Sequence, residues 1–266
     1  MREPDAAFAD PRQAVLYDAL DDDRSDLDVY LAIVEEVGGD RVIDIGCGTG
    51  TLAVLLAAMG RTVIGVDPAD ASLDVARAKP NADRVTWVHG DATSLVGRNG
   101  VGGPVVDGTL DHAGLLADVA VMTGNVAQVF VSDDDWSRTL AAVHACLRPG
   151  GCFVFETRRP EARAWESWDL APTAITLPDG RCAVVERTVT EVALPLITFE
   201  GSTTIDGEAL RSRSTLRFRE RDEIERDLAV HGFTVVDVRE APDRPGKEHV
   251  FLARCDGVRP VPRPGA

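Results

Sequence analysis

Two acids and three glycines lay out a ligand-binding turn. Asp44 is followed by Gly46, Gly48 and Gly50 at alternate positions, and Asp67 ends the next apolar run. Glycine permits a tight turn and leaves no Cβ between backbone and ligand. Where such a turn opens a helix, the unpaired N–H groups of the helix N-terminus also face the ligand. Asp67 stands at the distance where a ribose-binding acid is expected. A carboxylate accepts from both ribose hydroxyls, so either class of nucleotide could use it. Three alternate glycines would weaken a turn that served packing alone. Their spacing is Gly-x-Gly-x-Gly, whereas the dinucleotide fingerprint is Gly-x-Gly-x-x-Gly.

The elements that must hold these residues follow from periodicity. Val42, Ile43 and Ile45 make a short β-branched run, which reads as a buried strand. Residues 51–59 carry apolar side chains at helical spacing, and Gly60 stops them. Residues 62–67, 84–88, 118–122 and 152–155 are predicted as the second to fifth strands. Between the last two, Trp136, Leu140, Val143 and Leu147 form one helical stripe, predicted to end at Gly150-Gly151. Helices are expected over 11–38, with an apolar stripe through Tyr30, Ile33 and Val34. Residues 234–238 and 248–254 are strands too close in sequence for a helical crossover, so they should pair antiparallel.

Residues 160–218 change character. Four strand-like runs are punctuated by Asp179-Gly180 and Asp206-Gly207, a strong hairpin signal. They predict an antiparallel sheet inserted before the last helix. Val185, Arg187 and Val189 alternate with Glu186, Thr188 and Thr190, so one face needs cover. A roof over an acceptor pocket and a sheet-to-sheet contact with a second subunit both answer that need. Trp165 and Trp168 lead into the insertion and suit either a lid or hinge packing. Arg158 and Arg159, just before it, suit surface ion pairs or a clamp on a polar or anionic substrate.

The ordered series Asp44-Ile45-Gly46-Cys47-Gly48-Thr49-Gly50, Val66-Asp67, Gly90-Asp91-Ala92 and Leu147-Arg148-Pro149-Gly150-Gly151 resembles the motifs of class I S-adenosylmethionine-dependent methyltransferases. The stretch from Met122 to Phe130 resembles their small-molecule branch. The likeness runs from about Tyr17 to Arg159 and resumes more weakly from Leu216 to Arg254. It implies an α/β fold, a Rossmann-like seven-stranded, mostly parallel sheet with an antiparallel last strand. It implies S-adenosylmethionine bound by Asp44, Gly46, Cys47, Gly48, Gly50, Asp67, Pro68, Asp91, Ala92, Thr123 and Gly124. Asp91 would meet the adenine amine, or else cap the turn that follows it. Tyr17 would cover the methionine end of the cofactor, or else pack in the core. Asn125 and Gln128 lie where ligands bind in open parallel sheets and are candidates for substrate contact, with Arg158, Trp165 and Trp168. The expected organisation is a cofactor domain over 1–159 and 219–255, the inserted sheet over 160–218, and a loose tail over 256–266.

Composition narrows the partners. The formal net charge of −16 argues against nucleic acid. No apolar run approaches membrane-spanning length, and no signal core opens the chain. The five cysteines are scattered without Cys-x-x-Cys spacing, so neither disulfides nor a zinc site is expected. A cytoplasmic monomer or homodimer that methylates an N or O of a small molecule, without a metal, is the expected whole. The readings set against it are a non-catalytic S-adenosylmethionine-binding protein and a nicotinamide-dependent oxidoreductase. The Gly-rich stretch 97–114, ending near His112, is expected to be a flexible insertion.

Overall fold

The computed structural model of the chain describes residues 4–20, 23–96, 116–177 and 179–257. The expected insertion 97–114, including His112, and almost all of the expected tail lie outside these residues. Among them, eleven strands form two sheets. The strands are β1 (Arg41–Ile45), β2 (Thr62–Asp67), β3 (Val85–His89), β4 (Ala117–Met122), β5 (Leu147–Arg158), β6 (Leu170–Thr176), β7 (Cys182–Ala193), β8 (Leu196–Ile205), β9 (Glu208–Arg217), β10 (Phe233–Arg239) and β11 (Glu248–Cys255).

The larger sheet has the order β10-β11-β5-β4-β1-β2-β3. From β3 to β5 the neighbours are parallel, while β11 runs antiparallel to both β5 and β10. Both faces are covered, as parallel sheets require. Val42, Val63, Val119 and Val121 pack under the helices Asp28–Val37 and Thr51–Ala58. Ile43, Ala120, Phe153 and Phe155 pack under Asp133–Cys146 and Arg221–Val230. The strand order switches direction between β1 and β4, which opens a crevice at their carboxyl ends.

One boundary differs from the sequence reading. The helix from Asp133 ends at Cys146, not at Gly150-Gly151, and Leu147 already pairs with Ala117. Pro149 sets the limit: the residue before a proline is pushed out of the helical region, so the helix has to end before Arg148, and Leu147 is already extended, with φ −94° and ψ 142°. Leu147 stays buried, but as a strand residue.

The insertion forms the second sheet, β6-β7-β8-β9, antiparallel throughout. At the β8–β9 turn Asp206 and Gly207 both have positive φ, 53° and 81°, as a two-residue hairpin demands. Its apolar face is partly covered by an element the alternation did not foretell, the chain's own N-terminal segment. Leu16 packs with Leu177, Ala183 and Ile205. Arg12 reaches Glu208 at 2.6 Å, and Ser214 donates to Asp5. At its root Trp165, Ile197 and Phe218 form a cluster of the insertion's own side chains. Arg217 ties the sheet to the main domain: its Nη1 donates to the Val131 carbonyl at 3.2 Å, and its carbonyl accepts from Gln128 Nε2 at 3.4 Å.

Candidate cofactor and acceptor site

The carboxyl ends of β1 and β2 build the turn. The N–H groups of Gly46 and Cys47 donate to the Val66 carbonyl, at 2.8 and 3.2 Å. Gly46, Gly48 and Gly50 all have positive φ. The three do different work. A Cβ on Gly46 would collide with Val126 at 2.7 Å, and one on Gly50 with Trp87 and Ala76. A Cβ on Gly48 would meet nothing within 4 Å. Two glycines therefore serve packing, and the middle one faces open space.

Asp67 braces this turn: Oδ2 accepts from the Gly48 N–H and Oδ1 from the Ala69 N–H, both at 2.8 Å. Burial raises its carboxyl, and those two bonds oppose the rise. Asp44 is fully buried. Burial first, then the nearby Asp67 charge, pushes it up to about 7, with Arg24 pulling the other way. Burial also pushes the Cys47 thiol up. Asp91 caps the short helix Ala92–Leu95 through Thr93 N at 2.9 Å, which is the capping role foreseen for it. The Pro68 carbonyl is engaged by His89 Nε2 at 3.0 Å. The N-terminal segment is pinned here too. Asp18 accepts from Thr49 Oγ1 at 2.7 Å and pairs with Lys79, also at 2.7 Å.

Beside the turn lies a cavity of about 350 Å³, lined by Tyr17, Arg24, Gly124, Asn125, Arg158 and Arg244, among others. Tyr17, Gly124, Asn125 and Arg158 were foreseen at the site, and the fold brings them together. Of the cofactor candidates only Gly124 lines it; the glycine turn, Asp44 and Asp67 lie outside its lining. Three substrate candidates do not line it either. Gln128 is fully buried and spans Arg158 Nη1, at 2.9 Å, and the Arg217 carbonyl, at 3.4 Å. Trp165 is buried edge-on against Phe218, ring centroids 4.9 Å apart. Trp168 packs on Phe199 and Phe218 and carries the Arg158 guanidinium 5.2 Å from its ring centre. Thr123, half-buried, precedes Gly124 at the end of β4. Arg159 ties to Glu240 at 2.8 Å, an ion pair at the surface.

Behind the cavity wall is a buried ionic cluster that the sequence reading missed. Glu156 accepts from the Asn125 N–H at 3.0 Å and from Tyr30 Oη. Glu248 accepts from Asn125 Nδ2 at 3.0 Å and from Arg244 Nη1 at 2.9 Å. Arg158 Nε lies 3.7 Å from Glu248 and Arg244 Nη2 lies 4.0 Å from Glu156. Burial, then Glu248, raises Glu156 to about 7. Burial opposes the Arg244 charge, but Glu248 and Glu156 outweigh it and hold its pKa high. A signal was available. Glu156 ends the apolar run 153–155 as Asp67 ends its own, and Glu248 opens an antiparallel strand at that same sheet end.

Comparison with known proteins bears on the family and the fold. Residues 42–151 match the family model described as a methyltransferase domain. A demethylmenaquinone methyltransferase of Symbiobacterium thermophilum is 35% identical over 133 residues, 47% of this chain and 45% of that protein. The chain thus spans about half the length of that relative. Among solved structures, the methyltransferase CcbJ of Streptomyces caelestis has TM-score 0.66 at 21% identity, covering 86% of this chain and 89% of that one. The amino pentose methyltransferase CalS10 of Micromonospora echinaspora has TM-score 0.64 at 20% identity, covering 90% and 96%. At such identity a structural likeness speaks for fold. The family match, the motif series and the strand order converge: residues 42–151 are a methyltransferase domain, set in the seven-stranded fold of the class I S-adenosylmethionine-dependent methyltransferases.

Proposed function

We propose that the protein binds S-adenosylmethionine and transfers its methyl group to a nitrogen or oxygen of a small molecule. One observation carries the reading: Gly48 opens onto empty space beside the buried Asp67, which holds its N–H, and Gly124 and Asn125, after the carboxyl end of β4, line the cavity. The cofactor supplies an already activated methyl group. The chain's task is to hold the acceptor in line, and such positioning contributes about 7–11 kcal/mol in well-oriented reactions. Asp67 keeps lone pairs for the ribose hydroxyls besides the two it spends on backbone. Asp44 suits the cofactor's ammonium, and Tyr17 and Gly124 suit its methionine end. Titration calorimetry with S-adenosylmethionine against NAD tests the cofactor half. Turnover on a panel of metabolites separates an enzyme from a sensor.

Two expected outcomes follow from the turn. Gly48→Val should fold yet bind S-adenosylmethionine poorly, because its side chain fills the open space. The residue's φ of 53° adds a strain of about 1–2 kcal/mol. Normal affinity in a folded variant would remove Gly48 from the site.

The second outcome is a pH dependence. Folded Asp44 keeps its proton up to about pH 7, against an ordinary carboxyl value of 3.8. The folded state therefore binds more protons than the unfolded one between those values, and this group's contribution to stability falls as pH rises through that window. A cofactor ammonium beside Asp44 would favour the charged form, so binding should release a proton. Affinity should be about tenfold higher at pH 8 than at pH 6, and Asp44→Asn should abolish the difference. Calorimetry in buffers of different ionisation enthalpy measures the proton directly.

A further inference from the structure

The ionic cluster behind the cavity is incompletely satisfied. Among the described residues, Asn125 Oδ1 and Glu248 Oε2 are buried and have no hydrogen-bond partner. The two side chains already touch, Asn125 Nδ2 to Glu248 Oε1 at 3.0 Å. That bond fixes which end of the amide is free, and the free end accepts only. An ionised carboxylate also accepts only. Two acceptors without donors, on side chains already in contact, are an unusual thing to bury, and together they call for at least two hydrogens. A hydroxyl brings one. A primary amine or an ammonium brings two or three.

The surrounding charge points the same way. The cavity lining holds Asp23, Asp26 and Asp243 against Arg24, Arg158 and Arg244. Glu156 and Glu248 lie just behind it. Tyr30, the remaining titratable group on Glu156, is neutral, its hydroxyl raised by burial and by Glu156. Among the described residues four carboxylates and the partly protonated Glu156 thus face three guanidiniums, and the surplus attracts a cation. Arg244 shows that Glu248 takes a cation from the cavity side: its guanidinium sits on the other oxygen, Oε1, while itself lining the cavity, about a third exposed. It comes from the connection between β10 and β11, so it can turn outward to admit a ligand without moving a strand.

We propose that this corner seats an amine of the acceptor molecule: Glu248 Oε2 and Asn125 Oδ1 accept two of its N–H bonds, and the surplus of carboxylates favours its ammonium form. That this ligand is a methyl acceptor rests on the methyl-transfer reading above; that an amine binds here does not. Glu248 and Asn125 select amines over alcohols by donor count and charge together.

The test uses the full chain carrying 13C-carboxyl glutamate, with resonances assigned by Glu156→Gln and Glu248→Gln. S-adenosylhomocysteine is titrated first; failure to bind would reject the cofactor reading and leave the next step intact. Ethylammonium, tetramethylammonium and ethanol are then titrated at constant ionic strength. Ethylammonium should move the Glu248 resonance saturably, and tetramethylammonium, a cation without N–H, should not, nor should ethanol. Glu248→Gln should weaken ethylammonium at least about tenfold while S-adenosylhomocysteine affinity stays within about threefold. Equal responses to the two cations, or no saturable response to ethylammonium, would overturn the proposal and leave the corner to a buried water. The comparison of the two cations needs no variant, so it stands even if Glu248→Gln does not fold.

Discussion

Asp67→Ala should weaken S-adenosylmethionine binding by roughly 10- to 150-fold, because losing a hydrogen-bonded charged group costs about 1.5–3 kcal/mol. The structure adds a second consequence. The Asp67 carboxylate also holds the Gly48 and Ala69 N–H groups, so alanine leaves two backbone donors without their partner. Each buried donor left unmade costs about 1–3 kcal/mol, so the variant should also melt earlier. Asp67→Asn separates the two effects. Its amide oxygen can keep one of the backbone bonds, while its charge is gone. Calorimetry for binding and thermal unfolding for stability should show asparagine closer to wild type in stability than in affinity. Unchanged affinity in the alanine variant would remove Asp67 from the cofactor site.

Trp165→Ala should cost about 3–5 kcal/mol of stability, the usual range for truncating a buried aromatic side chain. Trp165 is 4% exposed and packs with Ile197 and Phe218 where the insertion joins the main domain. Truncation leaves a void at the root of the inserted sheet, which cannot collapse without shifting β8. Denaturant unfolding reads the loss directly. Cofactor affinity should hold in the fraction that stays folded, because the glycine turn belongs to a different part of the core. A variant with wild-type stability would mean that the root of the insertion is held by something else. This result also changes how the insertion should be probed for a role in acceptor choice. Trp165 serves as packing, so its loss cannot distinguish lid from scaffold. Arg158 lines the cavity, and Trp168 under its guanidinium is the better partner for that question.

The sequence was most informative where backbone geometry demands one residue type. Alternate glycines, acids ending apolar runs and Asp-Gly pairs each have a local cause, and β1, β2 and the β8–β9 hairpin stand where those causes put them. It was less informative where one residue answers to two demands. Gly46 and Gly50 share a motif with Gly48, yet a Cβ on either would strike a packed side chain. Gln128 sits at the expected edge of the sheet, but its amide is used to hold Arg158. It said least where the cause lies far along the chain. Glu156 and Glu248 become a pair only because β11 runs back beside β5, and Leu16 meets Ala183 only through the folded N-terminal segment.

That segment has a bearing on protein engineering. It is held at one end by Asp5, Arg12 and Leu16 on the inserted sheet, and at the other by Asp18 on Thr49 and Lys79. A chimera that exchanged residues 160–218 alone would lay foreign strands against these native side chains. It would leave Leu16 without its pocket, and the Asp5 and Arg12 side chains without their partners on β9. The unit that can be grafted is therefore two stretches far apart in sequence, roughly 5–16 together with 160–218.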